Sequence, residues 1–168
     1  MDLAALKKKY GKVVSKMNVA APVDLDHLFR GGFSEVEKIA GKRVAITHAH
    51  GVFVSGDVTV DALSLTGHAL FIAGDVKAKK LTLEGSVVVL GDLTAKEVRG
   101  IGEPGTLTVM GRVNVGLAVM EQQYVMQFLG TGTVRKLLDS EGGSEELVEL
   151  WTEAGSKVEV ADTGDEEE

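Results

Sequence analysis

Gly56-Asp57-Val58-Thr59-Val60 is the stretch that decides the fold, because its pattern returns three more times along the chain. Each copy starts with glycine, continues with Asp or Arg, and then alternates apolar and polar residues. The copies start 18, 17 and 20 residues apart. A repeat of this length predicts a solenoid in which every copy opens one turn of a coil. The later copies are Gly74-Asp75-Val76-Lys77-Ala78, Gly91-Asp92-Leu93-Thr94-Ala95 and Gly111-Arg112-Val113-Asn114-Val115.

Between these glycine turns the apolar residues come in pairs two positions apart, which places both side chains on one face of a strand. The first complete turn contains three pairs, Val58/Val60, Leu63/Leu65 and Leu70/Ile72. The chain is therefore predicted to be dominated by β-structure, as a short single-stranded parallel β-helix over residues 41–135. We expect three strands per rung and a right-handed coil, from the general chirality of parallel crossovers. An antiparallel meander would need a hairpin at every strand junction, whereas the strong turn recurs once per three strands.

The flanks of the repeat are predicted to be helical and to cover the unpaired strand edges that a solenoid leaves at its ends. Residues 1–40 form a predicted N-terminal helical cap. Residues 136–168 are predicted to hold a helix with Ser144 at its N-cap, a short strand at 157–160 and an acidic tail. The apolar residues at helical spacing are Leu3, Leu6, Tyr10, Val13, Val14 and Met17 in the first flank, and Leu147, Leu150 and Trp151 in the second.

Composition excludes several classes of protein. The 168 residues suit one domain, and the absence of cysteine excludes disulfides, thiolate metal sites and a cysteine nucleophile. A net charge of −7 argues against a general nucleic-acid binder, whose affinity depends on neutralising phosphates. No signal-peptide core and no long apolar run occur, so we expect a cytoplasmic protein without membrane contact. Phosphate-loop, nucleophile-elbow and zinc-protease motifs are missing, so neither catalysis nor a cofactor is expected.

The Gly-Asp-Val and Gly-Asp-Leu rungs of residues 41–128 resemble those of bactofilin-type polymer-forming domains. They also resemble related bacterial β-helix proteins, some of them associated with toxin-immunity loci. For the bactofilin family the resemblance implies a nucleotide-independent cytoplasmic scaffold that polymerises end to end. The helical, Trp-containing flanks depart from that pattern, since short and disordered flanks are expected in bactofilins.

Asp57, Asp75 and Asp92 follow the glycine in three successive turns and should stack at one corner of the coil. Three carboxylates at strand spacing could hold a hard cation such as calcium. An Asp after Gly more commonly satisfies turn amides through its own side chain. We favour this second interpretation.

Three histidines form the other candidate metal site. His50 and His68 each lie six residues before a turn glycine, and His48 lies two residues before His50. Three imidazoles could bind zinc, and such a site would support an enzyme. Exposed corner positions are the simpler interpretation of all three residues.

Two outward-facing surfaces are candidates for binding a partner. The first is an apolar row, Phe53, Phe71 and Val88, which is either an interface or the seat of the N-terminal helix. The second is a set of basic residues near Asp61 and Glu97, which is either a patch for an acidic partner or a mixed solvated face. The basic residues are Lys77, Lys79, Lys80, Lys96 and Arg99.

These observations predict a non-enzymatic β-helix of bacterial type for protein–protein interaction or scaffolding. The partner-binding residues would be Phe53, Phe71, Val88, Lys77, Lys79 and Lys96. Alternatives are an immunity-type inhibitor that binds a toxin and a metal-dependent or glycan-active enzyme. Helices that cover both ends of the coil would favour a stoichiometric binder, and helices displaced from the ends would permit end-to-end assembly.

Overall fold

A computed structural model describes residues 2–16, 23–47, 50–102 and 105–164, with only the backbone of His68 described. The helices are α1 Leu3–Ser15, α2 Leu25–Leu28 and α3 Ser144–Glu153. The strands are β1 Phe33–Val36, β2 Ile39–Ile46, β3 Gly51–Val54, β4 Val58–Ile72, β5 Val76–Val89, β6 Leu93–Ile101, β7 Thr106–Val109, β8 Val113–Glu121, β9 Val125–Phe128, β10 Thr131–Asp139, β11 Lys157–Val160 and β12 Thr163–Gly164.

The strands form a parallel β-solenoid of about five turns, as the repeat predicts. Each turn hydrogen-bonds to the next in a register of one repeat, for example Val58 to Val76, Val76 to Leu93 and Leu93 to Val113. This register stacks equivalent residues in columns along the coil. The repeat period therefore places side chains from sequence positions about eighteen residues apart in direct contact.

The interior is built from the predicted apolar pairs. All six residues of Val58/Val60, Leu63/Leu65 and Leu70/Ile72 are at most 5% exposed. The structure divides the backbone differently from the predicted three strands. β4 is one continuous strand of 15 residues, and later turns contain a long strand followed by one of four residues, such as β6 and β7. The ladder therefore continues through the first corner of each turn.

Strands of the coil extend beyond the predicted limits of 41 and 135 on both sides. β1 already pairs with β3, and β10 pairs with β8 before β11 and β12 pair with β10. The turn that opens at Gly130 does not show the pattern of the repeat. Its Gly132 stands at the position that Val58 and Val113 occupy in other turns. A Cβ at Gly132 would collide with the backbone of Val113, so this turn cannot keep the apolar pair that marks the others.

The helices lie in the segments for which helices were predicted, with two local differences. Val13 of α1 is 41% exposed, while Leu6 and Val14 are buried. The N-cap of α3 is Gly143, which makes no side-chain capping bond, and the prediction of Ser144 at that position was wrong. Ser144 is buried instead, with its hydroxyl donating to the Gly164 carbonyl at 3.3 Å.

Candidate interaction surfaces

The Gly-Asp corner forms a hydrogen-bonded ladder along the coil. The Asp57 carboxylate accepts from the Asp75 amide at 2.7 Å, Asp75 accepts from Asp92 at 2.8 Å, and Asp92 accepts from Arg112 at 2.8 Å. Each carboxylate thus satisfies the amide of the following turn, as the second interpretation of these residues requires. Glycine precedes each Asp because a Cβ on Gly91 would lie 2.5 Å from the Gly74 carbonyl oxygen. This corner is structural.

A shallow depression of about 770 Å³ lies on the outer face between this corner and the next one. Four cationic side chains surround it, whereas Asp61 is its only acidic residue among those described. Lys79 Nζ lies 3.9 Å from Asp61 Oδ1, and both groups are more than half exposed. Within the described ranges no ion pair involves the other three cations. We call this surface the basic depression, and it is lined by Lys77, Lys79, Lys96 and Arg135 together with Thr59, Thr94 and Asn114.

The shape of the basic depression follows from one glycine. Lys79, Lys96, Gly116 and Arg135 occupy the same position in successive turns. A Cβ on Gly116 would lie 2.6 Å from the Lys96 carbonyl oxygen, so the turns approach closely here and no side chain fills the space. Arg135 belongs to the turn that the repeat search missed, although Gly130 follows Gly111 by 19 residues.

Two of the predicted basic residues face away from this depression and are already paired with acids. Lys80 Nζ lies 3.3 Å from Glu97 Oε2, and Arg99 Nη1 lies 3.0 Å from Glu121 Oε2. Lys79 and Lys80 are consecutive exposed residues between the buried Ala78 and Leu81, so the corner lies between them and they belong to different sides of it. The predicted basic surface therefore divides into an open set and a set neutralised by Glu97 and Glu121.

The apolar row is covered by the chain itself. Phe53 and Phe71 are 0% exposed and Val88 is 2% exposed. Tyr10 of α1 packs on both phenylalanines, with ring centroids 5.6 and 5.5 Å away. Of the two interpretations of this row, the structure shows the seat of the N-terminal helix. A role of these three residues in binding a partner stays a prediction and would require α1 to leave.

A second crevice of about 640 Å³ runs between α2 and another corner of the coil. The crevice is lined by His27, Arg30, His50 and Glu84 and by several glycines. His48 lies outside the described residues, as does the side chain of His68. Among the residues that the structure does describe, no three His, Asp or Glu side chains are close enough to share a metal ion. The zinc hypothesis thus stays a prediction.

The corner next to this crevice is filled by Tyr124, which belongs neither to the glycine turns nor to the apolar pairs of the repeat. Gln122 and Gln123 adopt positive φ angles of 52° and 68° and turn the chain so that the Tyr124 ring packs on Gly100 and Gly105. Its hydroxyl donates to the Gly85 carbonyl at 2.9 Å. Burial raises the pKa of the Tyr124 phenol well above its usual range.

Helix α3 covers part of the C-terminal end of the coil, where β11 and β12 also pair with β10 and no described strand pairs with their outer edges. Trp151 is 3% exposed and inserts into the interior, where its ring lies 4.9 Å from that of Phe128. Its indole N–H donates to the Met126 carbonyl at 2.8 Å. Helix α3 therefore acts as a plug for the last complete turn.

The N-terminal end has a different arrangement, because α1 lies along the side of the coil. β2 pairs with β4, and no described strand pairs with its other edge. Three inward side chains of this first turn, Val36, Ile39 and Val44, are only partly buried, whereas Ile46 is buried. In the described part of the chain, Trp151 thus covers the interior near the C-terminal end, whereas the interior at the N-terminal end is partly exposed.

None of the helices in the described ranges is long and apolar enough to cross a membrane; the longest, α1, has 13 residues. Comparisons of the chain with protein-family models, with curated proteins and with solved structures found no match. The resemblance to bactofilin rungs therefore rests on the repeat alone. The fold supported by the coordinates is a parallel β-solenoid.

Proposed function

We propose that this protein is a non-enzymatic interaction module that binds an acidic segment of a partner protein in the basic depression. The observation that carries the proposal is the convergence of Lys77, Lys79, Lys96 and Arg135 around a surface with one acidic neighbour. Lys79 and Lys96 occupy equivalent positions of adjacent strands, where like charges are destabilising for the isolated chain. Carboxylates from a partner would remove that repulsion.

An acidic protein segment fits this surface better than a nucleic acid. The chain carries a net charge of −7, and the carboxylates of Asp57, Asp75 and Asp92 line the opposite edge of the same face. A nucleic acid that followed its phosphates over the whole face would meet this acidic edge. A short acidic segment needs only the basic depression. Thr59, Thr94 and Asn114 add hydroxyl and amide groups that can bond to carboxylates or to a peptide backbone.

The plug at the C-terminal end supports a binder of defined size over a fibre. Trp151 occupies the interior that a further turn would extend, so a second coil cannot stack there without displacing α3. An immunity-type inhibitor, for which the partner is a toxin, is one form of this proposal. Its acidic binding segment would be on the toxin.

Binding of a fluorescein-labelled peptide with six glutamates tests the proposal by fluorescence anisotropy, with the matching glutamine peptide as a reference. The triple variant Lys77→Gln, Lys96→Gln, Arg135→Gln should bind the acidic peptide about tenfold more weakly, since three exposed charge contacts of about 0.5 kcal/mol each are lost. Salt should weaken binding by the intact chain.

The matched control is Lys8→Gln, Lys12→Gln, Lys16→Gln, which makes the same charge change on exposed positions in and just after α1. This control should bind like the intact chain. Equal losses in both triple variants would show attraction to the whole molecule instead of a site. Absence of binding by the intact chain at low salt would contradict the proposal directly.

A further inference from the structure

No described strand pairs with the outer edge of β2, so this edge presents backbone groups that are unpaired within the described residues. Ile39 donates its amide to the Asp57 carbonyl at 3.1 Å, which directs it toward β4. Successive residues of a strand alternate in the direction of their N–H and C=O groups, so those of Ala40 point out of the end of the coil. Exposed edges of this kind accept another strand.

The interior of the first turn is also incompletely covered. Val44 begins a column that continues through Leu63, Leu81, Val98 and Ala118 to Leu137, which pairs with Thr163. The members from Leu63 to Leu137 are at most 3% exposed, whereas Val44 is only partly buried. Another apolar turn stacked on this end would bury Val44 completely, just as each turn of the coil buries the inward side chains of its neighbour.

Charges at this end complement one another across a two-fold axis. Glu37 and Lys38 lie at one corner of the first turn, and Lys42 and Arg43 lie at or beside the next. A three-sided coil can meet a copy of itself head to head in three alignments. One alignment places the Glu37 corner on the Lys42 corner of the copy. The two-fold axis repeats this contact, so the alignment pairs a Glu37 carboxylate with a Lys42 ammonium group twice.

We propose that a second copy of this chain stacks on the open end, head to head about a two-fold axis, with β2 at the interface. A closed two-fold contact is the commonest form of homo-oligomer. The strand edges would pair antiparallel, and Val36, Ile39 and Val44 of both copies would share one interior. Because a two-fold contact uses the same surface on both copies, it joins two chains and no more. This inference stands apart from the basic depression.

Sedimentation velocity of the full chain over a hundredfold concentration range tests the proposal. The mass should rise from one chain to two and no further. Glu37→Lys and the double variant Lys38→Glu, Lys42→Glu should each weaken the dimer by about tenfold or more, since like charges then meet. Mixing these two variants should restore a dimer that contains one of each.

Two controls locate the contact. Glu149→Lys on the exposed surface of α3 should leave the dimer unchanged, as should the triple variant of the basic depression. Hydrogen exchange should show that the Ala40 amide gains protection as concentration rises. The proposal is overturned if the mass stays at one chain or grows beyond two chains. It is also overturned if Glu37→Lys and Glu149→Lys have equal effects, or if the exchange rate of the Ala40 amide does not change with protein concentration.

Discussion

The two ends of the coil are both flanked by a helix, yet only the C-terminal helix covers an end. Trp151 of α3 reaches the interior beside Phe128, while Tyr10 of α1 packs on the outward-facing Phe53 and Phe71. The difference arises from where unsatisfied apolar surface lies near each helix. At the C-terminal end that surface is the last turn of the interior, and near the N-terminus it is an aromatic row on the outside.

This difference also separates the two modes of interaction that the molecule offers. A covered end limits growth of the coil, and an open end with charges of both signs permits one more contact. The basic depression lies on a side of the coil between them. Binding of a partner in the basic depression therefore does not depend on either end of the coil.

The largest effect is expected at the plug. Trp151→Ala should destabilise the protein by about 3–5 kcal/mol, since a buried aromatic is lost and the Met126 carbonyl loses its donor. Urea unfolding measures this cost. Leu150→Ala is the neighbouring control, because Leu150 is 46% exposed and should cost less than about 0.5 kcal/mol. Similar costs for the two variants would show that α3 does not plug the coil.

A smaller effect is expected within one interior column. Leu137→Ala at the covered end should cost about 2–5 kcal/mol, because Leu137 is 0% exposed and its removal leaves a cavity. Val44→Ala at the open end should cost less than about 1 kcal/mol in dilute solution, since Val44 is already partly exposed. Thermal or urea unfolding of both variants provides the comparison. An equal cost would mean that the N-terminal end is covered as well.

The smallest effect is expected for the exposed ion pair that joins α1 to α2. Lys7 Nζ lies 2.9 Å from Asp26 Oδ2, and this hydrogen bond and charge raise the Lys7 pKa. The contribution to stability is present below the usual lysine pKa and is lost as pH rises through the raised value. Because both groups are largely exposed, Lys7→Gln should unfold at the same urea concentration as Lys8→Gln at neutral pH.

A clear loss of stability in Lys7→Gln alone would change the account of the N-terminal flank. It would mean that the ion pair, and not the apolar contacts of Leu6, Tyr10 and Val14, holds α1 on the coil. Leu6→Ala provides the complementary measurement. Leu6 is 0% exposed, so this variant should lose about 2–5 kcal/mol.

Most of the coil could be predicted because its signals are local. The turn glycines at 56, 74, 91 and 111 and the apolar pairs between them are visible without knowledge of distant contacts. The turn that opens at Gly130 was missed for a physical reason. Close approach to Val113 requires glycine at 132, and this requirement removes the valine that marks the same position in other turns.

The candidate site was only partly predictable. Lys77, Lys79 and Lys96 were named from their outward positions, but Arg135 belongs to the missed turn. The sequence could not show that Lys80 and Arg99 lie outside the basic depression, because it does not reveal on which side of a corner each residue lies. The apolar row had two interpretations, because Tyr10, which packs on it, lies 43 positions before Phe53 and 61 positions before Phe71.

By itself the sequence determined the parallel coil, its period and the columns of its interior. These features can be predicted from sequence because their causes act over a few residues. The causes are the alternation of side chains along a strand and the steric need for glycine at a crowded corner. Only the tertiary structure decided which face α1 covers, which end α3 plugs and which cations remain unpaired. These outcomes depend on contacts between distant segments, where apolar burial and charge pairing compete across the whole molecule.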